Sequence, residues 1–263
     1  MAGITGDRCD KGLYCPEGTS SIANQNCKAG TYNPNEGAHE CITCPEGFYC
    51  LEGDPANTAT HEPIECAKGH RCPRGTGTEF GIPCDNGQYQ DETGHTRCFD
   101  CPPGHACSGA AKEEVTTADY CDAGYYCGIA QIQKTPPTNS ASKSGICPIG
   151  SYCDSGAAFP RQCLPGFACW EEGMDSSMFT DTNYFCAAGF YCQLGAETVN
   201  PAQCPAGFYC PSPDPELTVP NSSGTSRPRP CPPGTYSGSL ELANLADCLP
   251  CEDKQYCPDY GTT

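Results

Sequence analysis

The chain has 263 residues, of which 30 are glycine, 26 proline and 26 cysteine, and its formal net charge is −18. With the hydrophobic class at only 37% even when cysteine is counted, a conventional apolar core is not expected; an even number of cysteines at this density marks a disulfide scaffold made in an oxidising compartment, extracellular or at the cell surface. The acidity argues against nucleic acid and anionic membrane as partners, since both need clustered Lys and Arg, and no apolar run approaches the roughly 20 residues of a membrane span.

The opening stretch, MAGITGDRCD, has neither a charged n-region nor an apolar h-region, so the chain is expected to be a mature product or part of something longer. From there the cysteines set the elements. Residues 1–26 hold one short C-x5-C step, Cys9 and Cys15. Residues 27–83 form a first full block: a long step from Cys27 to Cys41, then Cys44 and Cys50, then Cys66 and Cys72. Residues 84–230 form a second block, opened by the long step Cys84 to Cys98. It continues through the short steps Cys101/Cys107, Cys121/Cys127, Cys147/Cys153, Cys163/Cys169, Cys186/Cys192 and Cys204/Cys210. Residues 231–263 begin a third block, with Cys231, Cys248, Cys251 and Cys257.

Twelve of the thirteen opening cysteines have glycine three residues later, from Gly12 to Gly234; only Cys251, followed by Lys254, does not. This is a tandem repeat of about 20 residues. Glycine is expected there because the chain must turn sharply at positive φ. The aromatics that follow, such as Phe48, Tyr49, Tyr125, Tyr126, Phe190, Tyr191, Phe208 and Tyr209, are expected to pack on disulfides and prolines in place of a core. Short two-stranded ribbons are predicted around the steps, and the nearest approach to a helix is a turn within Ser239–Asp247.

The C-x-x-C junctions Cys41/Cys44, Cys98/Cys101 and Cys248/Cys251 have zinc-knuckle and redox spacing, but they lie inside a disulfide rhythm in a chain with five histidines. Neither metal nor other cofactor is expected. No nucleophile elbow, metalloprotease helix, phosphate loop or calcium-loop spacing is present, and Glu113, Glu114, Glu171, Glu172 and Asp175 read as solvated surface. The chain is therefore not expected to be an enzyme. One N-linked sequon, at Asn221 in a Pro-rich connector, is a candidate glycosylation site.

Two pairing schemes respect the repeat. Consecutive pairing closes each step on itself; interleaved pairing joins short steps two at a time, for instance Cys44 to Cys66 and Cys50 to Cys72. Loop entropy separates them by only about 1 kcal/mol per bridge, which decides nothing. The interleaved scheme would leave Cys9/Cys15 and Cys251/Cys257 to complete each other between subunits joined head to tail.

The segment CKAGTYNPNEGAHECITCPEGFYC from Cys27 resembles the cysteine-rich repeat of ephrin-receptor ectodomains and the first module of tumour-necrosis-factor-receptor repeats, as do the blocks from Cys84 and Cys231. The excess of C-x5-C steps is similar to arrays in very large surface proteins of protists and algae, including those of flagellar hairs (mastigonemes). The resemblance implies small disulfide-rich repeats in an elongated tandem array with little regular secondary structure. The function expected is that of a structural extracellular protein forming or decorating a cell-surface or flagellar filament, glycosylated and contacting filament neighbours or copies of itself. The alternative is a ligand-binding receptor or adhesin ectodomain.

Overall fold

A computed structural model of the chain describes residues 7–23, 25–52, 62–141, 143–214 and 223–263. Among them there is no α-helix. Regular structure consists of nine separate two-stranded antiparallel ribbons, each strand two residues long, and four 3₁₀ turns. The ribbons share one construction. The two residues after a step glycine pair with the two residues before the next opening cysteine: Phe48–Tyr49 with Ile64–Glu65, Phe190–Tyr191 with Ala202–Gln203, Phe208–Tyr209 with Arg229–Pro230. Such short strands cannot persist alone. Prolines 83, 230 and 250 are accommodated because they end their strands and owe no ladder donor. Within Ser239–Asp247 the chain makes only the 3₁₀ turn Leu245–Asp247.

All 26 cysteines are paired, and the pairing is consecutive throughout. Each of the ten short steps closes a six-residue separation, as in Cys44–Cys50 and Cys204–Cys210. The long steps close as Cys27–Cys41, Cys84–Cys98 and Cys231–Cys248. The terminal pairs Cys9–Cys15 and Cys251–Cys257 are also intrachain. A covalent head-to-tail joint therefore has no cysteines left to form it.

The chain divides into two compact units, Met1–Asp119 with Ile129–Gln133, and Tyr120–Gly128 with Lys134–Thr263. In the first, Tyr49 packs on Cys66 and Cys72 with Leu51 and Ile64 around them. The second holds three small clusters. Phe190 and Val199 cover Cys186 and Cys192, and Tyr209 covers Cys231, Cys248 and Leu242. The third gathers Phe167, Met174 and Phe185 on Cys163 and Cys169, with Tyr152, Met178, Phe179 and Tyr184 packed against them. Sulfur and aromatic carbon thus do what aliphatic residues do in an ordinary core.

Candidate functional site

The element that recurs along the chain is the junction between steps, and Gly189 shows how the sequence builds it. Its φ is +82°, which glycine adopts without a Cβ clash. The Gly189 amide donates to the Cys210 carbonyl of the next step at 2.9 Å, and the Gly189 carbonyl accepts from the amide of Cys204, which opens that step, also at 2.9 Å. A Cβ on Gly189 would lie 2.6 Å from the Glu241 carbonyl oxygen, two steps further along. Glycine is required twice over: by the turn and by the close approach.

The same wiring recurs within each unit. Gly30 donates to Cys50, Gly47 to Cys72, Gly87 to Cys107, Gly150 to Cys169 and Gly166 to Cys192, at 2.7–2.9 Å. The next opening cysteine returns a bond to the glycine carbonyl, as from Cys44 to Gly30 and from Cys163 to Gly150. The second-step approach recurs too: Gly47 packs on the Gly94 carbonyl, Gly87 on that of Ala130 and Gly207 on that of Gly261. Gly234 occupies the same motif position with φ +87° and has nothing within 4 Å of its Cβ direction.

Two parts of this machinery were not anticipated from the sequence. One is a second left-handed turn, three or four residues after the closing cysteine of a short step at Gly75, Ala111, Ala130, Gly156, Gly173, Gly195 and Gly261, and inside the long steps at Gly37, Gly94 and Glu241. Its amide bonds the opening cysteine of the preceding step, for example Gly75 to Cys44 and Glu241 to Cys204, both at 2.9 Å. The signal was present, since glycine falls three or four residues after Cys72, Cys153, Cys169, Cys192 and Cys257.

The other is the long step. Six residues after its opening cysteine, where a short step has its second cysteine, stand Asn33, Gln90 and Ser237, all buried. Their carbonyls accept from Gly12, Gly69 and Gly207 at 2.7–2.8 Å, as closing-cysteine carbonyls do elsewhere. Their side chains satisfy the loop instead of forming a bridge. Asn33 Nδ2 donates to the Leu13 carbonyl at 2.7 Å, Gln90 Nε2 donates to the Arg97 carbonyl at 2.8 Å and Gln90 Oε1 accepts from the Glu92 amide at 3.1 Å. A buried amide at this point needs its hydrogen bonds, and the displaced cysteine, at position 41, 98 or 248, closes a wider loop.

The three C-x-x-C junctions bring no thiols together, because each cysteine in them is bridged to a different partner. Among the described residues no cluster of three or more His, Cys, Asp or Glu side chains could hold a metal ion. Asn221 lies outside the described residues. In the first unit Lys112 Nζ meets Asp119 Oδ1 at 2.8 Å. Burial pushes the Asp119 carboxyl up, but the hydrogen bonds and charge of Lys112 and the bonds from Thr116 outweigh it and hold the carboxyl below its ordinary range.

This geometry defines a cysteine-rich repeat array stabilised by serial disulfides, the product of an oxidising compartment. No protein-family model matches the chain. It is similar to cysteine repeat modular protein A of Toxoplasma gondii, 26% identical over 92% of this chain and 8% of that protein. It is also 31% identical to human signal peptide, CUB and EGF-like domain-containing protein 2, over 52% of this chain and 15% of the relative. Mouse thyroglobulin shares 35% identity over 34% of the chain and 3% of its own length. The chain thus spans a small fraction of each relative it matches. Among the described residues no helix is long and apolar enough to cross a membrane.

Proposed function

We propose that this chain is a mechanical segment of an extracellular repeat protein that forms or decorates a cell-surface or flagellar filament, with no catalytic role of its own. The observation that carries this reading is the wiring of step to step. Each step is closed by its own bridge and bonded through glycine and cysteine backbone to the next, so that within each unit a load passes from one cross-linked loop to its neighbour. Each bridge contributes roughly 2–4 kcal/mol by restricting the unfolded chain. The likeness to a repeat protein more than ten times its length supports a role as one stretch of a longer array. Neighbouring copies would meet through non-covalent contacts, and sugar on Asn221 would add protection from proteolysis. Negative-stain microscopy of the native material tests the reading: polymers of regular repeat are expected, and a monodisperse monomer at all concentrations would overturn the filament role.

A further inference from the structure

In the second unit one step departs from the repeat in a way that the ladder does not require. The residue after the closing cysteine is proline in four of the nine other short steps and Leu51, Ser108, Gly128, Asp154 or Gln193 in the rest, never an aromatic; after Cys169 it is Trp170, the only tryptophan of the chain and 43% exposed. The connector that follows carries two 3₁₀ turns, Ser176–Thr180 and Thr182–Tyr184, capped by the carboxylates of Asp175 and Asp181. These turns pack Phe179 and Phe185 onto Phe167, with ring centroids 4.7 and 5.4 Å away, and enclose Met174 completely. The Ala168 amide donates to the Tyr184 carbonyl at 2.8 Å, which ties the far end of the insertion back to the segment bearing Trp170.

The result of this rigid base is exposed: Trp170 and Tyr184 stack with centroids 5.7 Å apart and planes 24° from parallel. They floor an open cleft of about 600 Å³ whose polar rim is Glu171, Asn183, Thr198 and Asn200. No basic side chain lines it. Asn183 spends one amide proton on Asp181 Oδ2 at 3.3 Å, which leaves its oxygen to accept. Among the described residues no partner bonds the Asn200 amide or the Trp170 indole N–H.

A flat two-ring platform suits a ligand with an extended apolar C–H face, and a rim of amides, hydroxyl and carboxylate suits one whose edge alternates donors with acceptors. A cationic side chain would use the rings and Glu171 but would leave the amide donors idle, and an anionic ligand would meet Glu171 unpaired. We propose that the Trp170–Tyr184 cleft is a carbohydrate-binding site for a neutral pyranose unit of a glycan chain. The inference is independent of whether the array polymerises.

Because Trp170 is the only tryptophan, its emission reports on this cleft alone. The folded, oxidised chain, treated to remove N-linked sugar so that its own glycan cannot occupy the cleft, is titrated with chitotriose, cellotriose, mannotriose and a lysine-rich peptide. At least one trisaccharide is expected to shift the emission saturably at millimolar concentration or below. Saturation-transfer NMR on the same sugar is expected to show binding at least tenfold weaker in Trp170→Ala and Asn200→Ala, with Trp170→Phe in between and unchanged bridge mapping in all three. Absence of a saturable response to every sugar up to about 10 mM, or a response to the peptide alone, overturns the proposal. So does a sugar response that survives Trp170→Ala undiminished.

Discussion

Replacing Gly189 with alanine separates the cost of the left-handed turn from the cost of the approach two steps away, because the same replacement at Gly234 bears the first cost alone. Both glycines stand three residues after an opening cysteine, at φ +82° and +87°. Both donate to the next step, Gly189 to Cys210 at 2.9 Å and Gly234 to Cys257 at 2.8 Å. Alanine at either position bears about 1–2 kcal/mol for the left-handed conformation. Only at Gly189 does the new methyl meet backbone, 2.6 Å from the Glu241 oxygen and 3.2 Å from its carbonyl carbon. Restoring ordinary contact requires the 241 turn to retreat by roughly 0.7 Å, since carbon and carbonyl oxygen approach comfortably only to about 3.3 Å. That movement breaks the Glu241 to Cys204 backbone bond, now 2.9 Å, and leaves the carbonyl of a fully buried cysteine unpaired. Gly189→Ala therefore loses about 1–3 kcal/mol more than Gly234→Ala. Since cooperativity breaks down along a long repeat array, amide hydrogen exchange of the native, oxidised chain, which reads each step separately, is the suitable assay. Protection of the Glu241 amide is expected to fall about 5- to 150-fold in Gly189→Ala and to stay within about twofold of wild type in Gly234→Ala. Equal effects of the two substitutions on Glu241 would refute the second-step contact.

Further predictions follow from the same geometry. The thirteen bridges short-circuit about 105 backbone steps, so the fully unfolded chain pulled by its ends is expected to be about 280 Å longer after reduction than before; single-molecule force extension measures this, and the same length in both states would contradict the consecutive pairing. Because Asp119 titrates below its unfolded value of about 3.8, its contribution is present above that value and lost as pH falls through the lower folded one. Exchange protection of the Ala106 amide, which bonds the Asp119 carbonyl at 2.8 Å, should hold from neutral to about pH 4 and decline below; Asp119→Asn should lower it and flatten the profile. Met174→Ala, at a completely buried site, is expected to loosen Ser176–Tyr184 by about 2–5 kcal/mol in exchange measurements while leaving bridge mapping unchanged.

Much of the fold was legible because it is written in residue types with few uses. Twenty-six cysteines and a glycine at a fixed offset announce the step, and the Phe-Tyr pairs announce a ribbon that must cover sulfur. What could not be read was anything decided between steps. Consecutive and interleaved bridges obey the same spacing, and the choice lies in backbone geometry, since the Gly-x-x turn brings the Cα atoms of Cys204 and Cys210 to 5.9 Å, within bonding reach. The buried roles of Asn33, Gln90 and Ser237 were equally hidden: in sequence they are polar residues after a tyrosine, and only burial shows that they stand in for a cysteine. Glu241 at φ +61° takes a place that glycine fills elsewhere, so no composition rule could have found it.

The wiring also explains where such a chain has room to acquire function. The bonds that join successive steps use the glycine, the opening cysteine and the second left-handed turn, all of them backbone groups. The connector before the next opening cysteine takes little part, so its length is free to vary: Cys153 and Cys163 are 10 positions apart, Cys169 and Cys186 17, and Cys127 and Cys147 20. A longer connector costs little closure entropy, because each doubling of a loop adds only about 0.6 kcal/mol. When an insertion brings its own apolar residues, as Met174, Met178, Phe179 and Phe185 do, it becomes a rigid local core on a scaffold that needs none. Exposed aromatics on such a base are pre-organised by residues that the repeat itself does not use. Binding specificity in an array of this kind is therefore expected in the atypical connectors, while the glycine and cysteine positions answer only to the ladder.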